Sequence, residues 1–231
     1  MENPQLAFSL SLRDDATFSN FCEGDNAQLL SYLRDCIAGR GERIIYLWGE
    51  SGVGRSHLLQ ACCHEIEDQK SAVYLSFKEN EDLTPAILDG LEYTDLICLD
   101  DIDSILGDAQ WEEALFHFYN RARDQKTCLL VVGNVAPTQL ACQLPDLVSR
   151  LAWGLVFQVK ALDDVQKITA LQVHAHNRGM NLSEEVGRYL LHHCPRSMSA
   201  LFDVLGKLEK ASLVEQRRIT VPFVKQILAH F

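Results

Sequence analysis

The stretch Tyr46-Leu-Trp-Gly-Glu-Ser-Gly-Val-Gly-Arg-Ser-His57 decides the fold. The apolar run Ile44 to Trp48 reads as a buried strand that breaks into glycines and resumes as a helix-like stretch, Ser56 to Ile66. Strand, glycine loop and helix together are the context in which a phosphate loop of the form G-x-x-x-x-G-K-[ST] is credible. Gly49 and Gly54 hold its two glycine positions, with Glu50, Ser51, Gly52 and Val53 between them. Glycine lets successive backbone N–H groups point into one concavity, and the following helix adds its positive N-terminus to the anion site. Ser56 stands where a hydroxyl would bind Mg²⁺, with His57 after it. Arg55 replaces the usual lysine. A guanidinium can still fork onto two phosphate oxygens, but its bulk and planarity favour holding a diphosphate over handling a γ-phosphate. A glycine-rich turn without a ligand is the alternative.

Outward from this loop the chain alternates strands and helices. Ala72 to Ser76, Leu96 to Ile102, Thr127 to Gly133 and Leu155 to Val159 read as further strands. Ala27 to Ala38, Pro85 to Leu91 and Trp111 to Arg123 read as helices. That alternation predicts an α/β domain with a parallel sheet flanked by helices. After Leu162 the pattern is purely helical, with Asp163, Ser183, Ser197 and Pro222 opening successive helices, so a small all-α domain follows. The expected division is a tail over 1–13, a nucleotide-binding α/β domain over 14–161 and a helical lid over 162–231.

The third strand closes on Asp100 and Asp101. Downstream of a phosphate loop, adjacent acids suit a metal-and-water site, Asp100 supporting Mg²⁺ and Asp101 orienting an attacking water. The alternative is a pair that ends the strand and caps the next turn. Asn134 sits at the end of the fourth strand, and in an open parallel sheet ligands bind outside the carboxyl ends of strands. It is placed to sense a γ-phosphate or water, or it is simply a turn-forming Asn.

Composition sets the bounds. The 231 residues are enough for one large or two modest domains with a proper core. Net charge is −11, with −13 up to Leu162 and +2 beyond. An acidic main body argues against broad phosphate-backbone binding of DNA or RNA. The sequence contains no apolar run of membrane-spanning length and no signal peptide pattern at its start. The eight cysteines lie mostly in apolar segments with no C-x-x-C or zinc spacing, and read as small buried hydrophobes of a reducing, cytoplasmic setting. His174 and His176 face different ways on a helix, and neither they nor His192-His193 read as ligands. In the tail, Leu6, Phe8, Leu10 and Leu12 alternate with small residues, which makes an edge strand or a linear motif that docks as an added strand.

Several stretches together resemble one family, the AAA+ P-loop NTPase module of the bacterial replication initiator DnaA, over Thr17 to Phe231. They are Thr17-Phe-Ser-Asn-Phe21 with Gly24-Asp-Asn26, the phosphate loop, Leu99-Asp-Asp-Ile102, Asn134 with Pro137, and Ser149-Arg-Leu-Ala-Trp-Gly-Leu155. The last matches the family's arginine-finger box, with Arg150 at the finger position. Gln5-Leu-Ala-Phe-Ser-Leu10 is similar to the hexapeptide by which bacterial proteins bind the DNA sliding clamp.

The sequence shows no initiator-type DNA-binding domain after the lid. The resemblance is therefore closer to the family's regulatory members, which inactivate the initiator together with the clamp. It implies a bound adenine nucleotide, ADP over ATP, with Mg²⁺. It implies contacts from Phe21, Cys22 and the lid residue Arg196, the latter because serine stands at Ser199 where a sensing arginine is expected. It also implies clamp contact by Gln5, Leu6, Phe8 and Leu10, action of Arg150 in trans on ATP held by DnaA, and self-association of the kind AAA+ relatives show. It implies no sequence-specific DNA binding and no membrane partner. An autonomous AAA+ ATPase, a loader or remodeller using Asp101 in its own oligomer, is the second reading.

Overall fold

The structure is a computed structural model and describes residues 12–13, 16–66, 70–80 and 82–229. The tail motif at Gln5, Leu6, Phe8 and Leu10 lies outside them. In chain order the main elements are α1 (Ala27–Ile37), β1 (Ile44–Trp48), α2 (Arg55–Glu65), β2 (Ala72–Ser76), β3 (Leu96–Asp100), α3 (Ala109–Gln125), β4 (Cys128–Gly133), α4 (Pro145–Leu151) and β5 (Leu155–Gln158). The helices α5 (Asp164–Asn177), α6 (Glu184–His193), α7 (Met198–Glu215) and α8 (Val221–Leu228) follow.

The five strands form one sheet in the order β2-β3-β4-β1-β5, every neighbouring pair parallel. Register pairs Trp48 with Gly133 and Ser76 with Asp100, so the carboxyl ends of β1, β3 and β4 lie side by side. Parallel strands covered on both faces must be apolar on both faces, and β1, β3 and β4 are buried almost throughout. Ile44 and Tyr46 belong to the core shared with Trp111, Leu115, Phe118 and Tyr119 of α3 and Leu147 and Leu151 of α4. Alternation sends Ile45 and Leu47 to the opposite face, and α2 packs against β2, β3 and β4. Burying each such side chain contributes roughly 1.5–3 kcal/mol.

Two expectations are refined. The run Pro85 to Leu91 forms two short 3-10 turns, Pro85–Leu88 and Leu91–Tyr93. β3 stops at Asp100, because Asp101 has φ +56°, which no strand residue adopts. One expectation is corrected. Cys36 and Cys128 are joined by a disulfide, so this pair is not two separate buried thiols. Packing α1 beside the start of β4 brings Cα atoms 92 residues apart in sequence to 6.2 Å, within disulfide reach. Cys62 and Cys98 are buried thiols as expected.

The residues divide into two compact units. One is the sheet unit, built from the described residues up to Phe21, Gln28–Gly49 and Arg55–Gln158. The other takes Cys22–Ala27, Glu50–Gly54 and the described residues from Val159 onward. The core of the second unit is Ile168, Leu171, Val186, Leu190, Leu201, Leu205, Leu208 and Phe223, drawn from all four C-terminal helices. Its helices start where the sequence reading places them. Asp163 makes a capping box with Gln166, Ser183 caps onto Val186 and Ser197 onto Ala200. Among the described residues no helix is long and apolar enough to cross a membrane.

Candidate functional site

The loop between β1 and α2 turns on Gly52 and Gly54, with φ of +82° and +98°, a region that side chains with a Cβ rarely enter. A Cβ on Gly52 would also stand 2.8 Å from the Cβ of Ser197, so glycine is required there twice over. Val53 N–H reaches Glu50 O at 3.5 Å, and Ser51 lies exposed at the loop's crest.

Arg55, the first residue of α2, is buried at 8% exposure. Its guanidinium turns to the carboxyl end of β4, donating to Gly133 O and, at 2.8 Å, to Asn134 Oδ1. Asn134 is held again from its backbone N–H, which donates to Asp103 Oδ2 at 2.7 Å. Tyr46 OH donates to Val135 O at 2.9 Å, and a Cβ on Gly133 would collide with that hydroxyl at 2.0 Å. Arg55, Asn134, Gly133, Tyr46 and Asp103 thus form one polar knot at the ends of β1 and β4. Of these, only Arg55 and Asn134 are expected at the site from sequence. Asp103, three residues after Asp100, was the available signal.

Ser56 lies close enough to Asp100 for its hydroxyl to favour the ionised carboxylate. Asp100 Oδ2 accepts from Tyr74 OH at 2.7 Å and Oδ1 from Asp101 N–H at 3.0 Å. Burial raises the Asp100 carboxyl above the ordinary aspartate range, and the hydrogen bonds from Ser56 and Tyr74 only partly oppose it. A hydroxyl at the start of α2 and a carboxylate at the end of β3 are the donor types that suit Mg²⁺, which takes one or two protein ligands and fills its shell with phosphate oxygens and water. Among the described residues no group of three His, Cys, Asp or Glu side chains could hold a metal on its own. The carboxylate of Asp101 makes no hydrogen bond among the described residues; only its backbone is engaged, its N–H with Asp100 and its carbonyl with Ser104.

The other predicted contacts are more scattered. Phe21 and His57 have ring centroids 5.7 Å apart, and His57 Nε2 lies 2.8 Å from Thr17 O. Within the second unit the Cys22 thiol, raised by burial, faces Gln166 O at 3.9 Å. Arg196 is bonded to Asp164 at the start of α5, both side chains more than half exposed. Arg150, near the end of α4, joins none of these groups. Its guanidinium carbon lies 4.8 Å from the Trp153 ring centroid and 5.9 Å from that of Phe116.

A parallel sheet in this order, with a glycine loop after β1, acids ending β3 and an amide ending β4, is the arrangement of an AAA+ module. Residues 12–158 match the family model of the bacterial DnaA ATPase domain, and the chain belongs to that family. Residues 164–228 match the model described as the lid domain of Hda, and the two matches together are consistent with Hda, a DnaA-homologous AAA+ protein. Among solved structures, domain III of the Thermotoga maritima replication initiation protein DnaA superposes with a TM-score of 0.80 at 20% identity, covering 95% of this chain and 98% of that one. AMPPCP-bound DnaA from Aquifex aeolicus gives 0.74 at 21%, covering 85% of this chain and 65% of that one. RuvB of Thermotoga maritima gives 0.66 at 16%, covering 87% and 67%.

Proposed function

We propose that this chain is a negative regulator of bacterial DNA replication initiation. It holds an adenine nucleotide, binds the DNA sliding clamp through Gln5, Leu6, Phe8 and Leu10, and stimulates hydrolysis of ATP held by DnaA through Arg150 supplied in trans. The observation that carries this reading is the condition of Arg150. Among the described residues its guanidinium has no carboxylate partner and no hydrogen bond, and only aromatic rings hold it. A cation kept on a surface in this way is available to another molecule's anion.

The condition of Arg55 supports weak intrinsic hydrolysis. Asn134 Oδ1 accepts from Arg55, so the group placed to orient a water is engaged by a neighbouring cation. A site of this kind favours ADP over ATP. Bound Mg²⁺ would supply charge neutralisation at the phosphates. Ser56 and Asp100 would hold it. A fold shared with AMPPCP-bound DnaA supports an adenine nucleotide in this role. The autonomous-ATPase reading draws on Asp101, whose carboxylate is uncommitted among the described residues.

Steady-state hydrolysis separates the two. The isolated protein is expected to turn over ATP at background rate, and hydrolysis to appear only when ATP-loaded DnaA and DNA-loaded clamp are both added. Robust turnover by the isolated protein would favour the autonomous ATPase.

A further inference from the structure

Trp153 is 63% exposed, a large apolar surface to leave in water. Its backbone is nonetheless fixed. Its N–H donates to Arg150 O at 3.1 Å, and at the next residue, Gly154, a Cβ would stand 2.4 Å from Ile44 O. The chain is therefore pressed against the start of β1 where the indole emerges. Two guanidinium groups from different elements lie over that one ring, Arg150 of α4 at 4.8 Å and Arg123 of α3 at 5.0 Å. Among the described residues Arg123 has only its neighbour Asp124, 3.9 Å away and 72% exposed, as an ion-pair partner. Two like charges gathered on one side chain, in a chain of net charge −11, repel each other. The negative face of the indole offsets part of that repulsion. A doubly or triply charged anion would offset far more, with two planar forks matching two phosphate groups.

We infer that Trp153 is the positioning residue of Arg150 and that Arg123 is a second phosphate-binding cation on the same surface. The three side chains form one receptor for a polyphosphate presented by a partner protein. This rests on the reading of Arg150 as a finger in trans and extends it to two residues outside that box's arginine. The indole limits the rotamers open to both arginines before the partner arrives, so less freedom is lost when the phosphates are met. Removing the ring releases both cations. Removing Arg123 leaves Arg150 in place with half the charge.

The test is single-turnover hydrolysis of ATP preloaded on DnaA, with DNA-loaded clamp, at a series of concentrations of each variant. Trp153→Ala is expected to lower the saturating rate about tenfold, and Trp153→Phe, which keeps a ring face, to recover most of it. Arg123→Ala is expected to raise the half-saturating concentration several-fold, with Arg123→Lys intermediate. Melting temperature and clamp retention should match the unsubstituted protein in all four. Arg150→Ala run alongside separates the failures. If Arg150→Ala is inactive while Trp153→Ala and Arg123→Ala behave as the unsubstituted protein, the positioning and second-cation roles are overturned and the finger stands. If Arg150→Ala is fully active, the finger reading itself falls. Should Trp153→Ala lose its fold, Arg123→Ala decides the second cation, and Trp153→Leu, apolar but without a ring, decides the first role. Full activity in Trp153→Leu overturns it.

Discussion

Arg55 stands where the phosphate-loop pattern has lysine, and the structure joins it by a hydrogen bond to Asn134, 79 residues away. A lysine would present a point charge here; arginine and asparagine satisfy each other as donor and acceptor. Asp100 shows the opposite economy. It is a carboxyl kept in a buried place, so its folded-state pKa is raised. The folded chain therefore binds this proton more tightly than the unfolded chain does, and stability from this group is present in acid. It is lost as pH rises from the ordinary aspartate range, near about 4, through the raised value. Asp100→Asn removes the charge and keeps a side chain that can still accept from Tyr74. In nucleotide-free protein its thermal stability relative to the parent is expected to be near parity at about pH 4 and to grow as pH rises toward neutrality. Melting curves across that range check this; an advantage for the parent that grows with pH would refute it.

At the scale of elements, the strands and the phosphate loop were legible because each carries its own signal. β1 spans Ile44–Trp48 and β2 spans Ala72–Ser76, as their apolar runs predict, and the glycines and Ser56 announce the turn into α2. What was not legible were partners distant in sequence. Tyr46 reads as one more apolar strand residue, yet its hydroxyl helps shape the end of β4. Glu112 reads as an exposed helix residue. It is 1% exposed and accepts from the backbone N–H groups of Gly107, Gln143 and Leu144 at 2.8–3.0 Å. It thereby ties the segment that leads into α4 and Arg150. No local period reveals a carboxylate turned inward to backbone 31 residues away. Burial works against its charge, but the three N–H groups outweigh it and hold the carboxyl below the ordinary range. The sign is then the reverse of Asp100, with stability present above the ordinary glutamate pKa and lost as pH falls through the depressed one. Glu112→Gln is expected to cost about 2 kcal/mol at pH 7, since one amide oxygen cannot serve three donors. The difference should shrink on acidification below about pH 4. Chemical denaturation at both pH values measures it, and a cost independent of pH would contradict the account.

At the scale of the whole molecule, an acidic body is joined to a near-neutral helical lid, and the proposed contacts with other proteins lie outside the nucleotide loop. The tail motif is tested first by replacing Leu6, Phe8 and Leu10 together with alanine. Three apolar anchors at roughly 1.5–3 kcal/mol each imply a loss of clamp affinity of at least several hundredfold, with melting temperature unchanged. Retention of the clamp at parental strength would remove Gln5 to Leu10 from the account. The central claim is the action of Arg150 on a nucleotide held by another protein, and fingers of this kind accelerate hydrolysis by ~10³–10⁵. The most direct measurement is single-turnover hydrolysis of ATP preloaded on DnaA, with DNA-loaded clamp and either the parent or Arg150→Ala at saturating concentration. The account predicts that the Ala variant keeps its fold and its clamp binding and yet leaves DnaA hydrolysing at its unstimulated rate. Lysine at the same position should rescue poorly, because it restores charge without the two-pronged donor geometry. Equal rates for the parent and Arg150→Ala would contradict it.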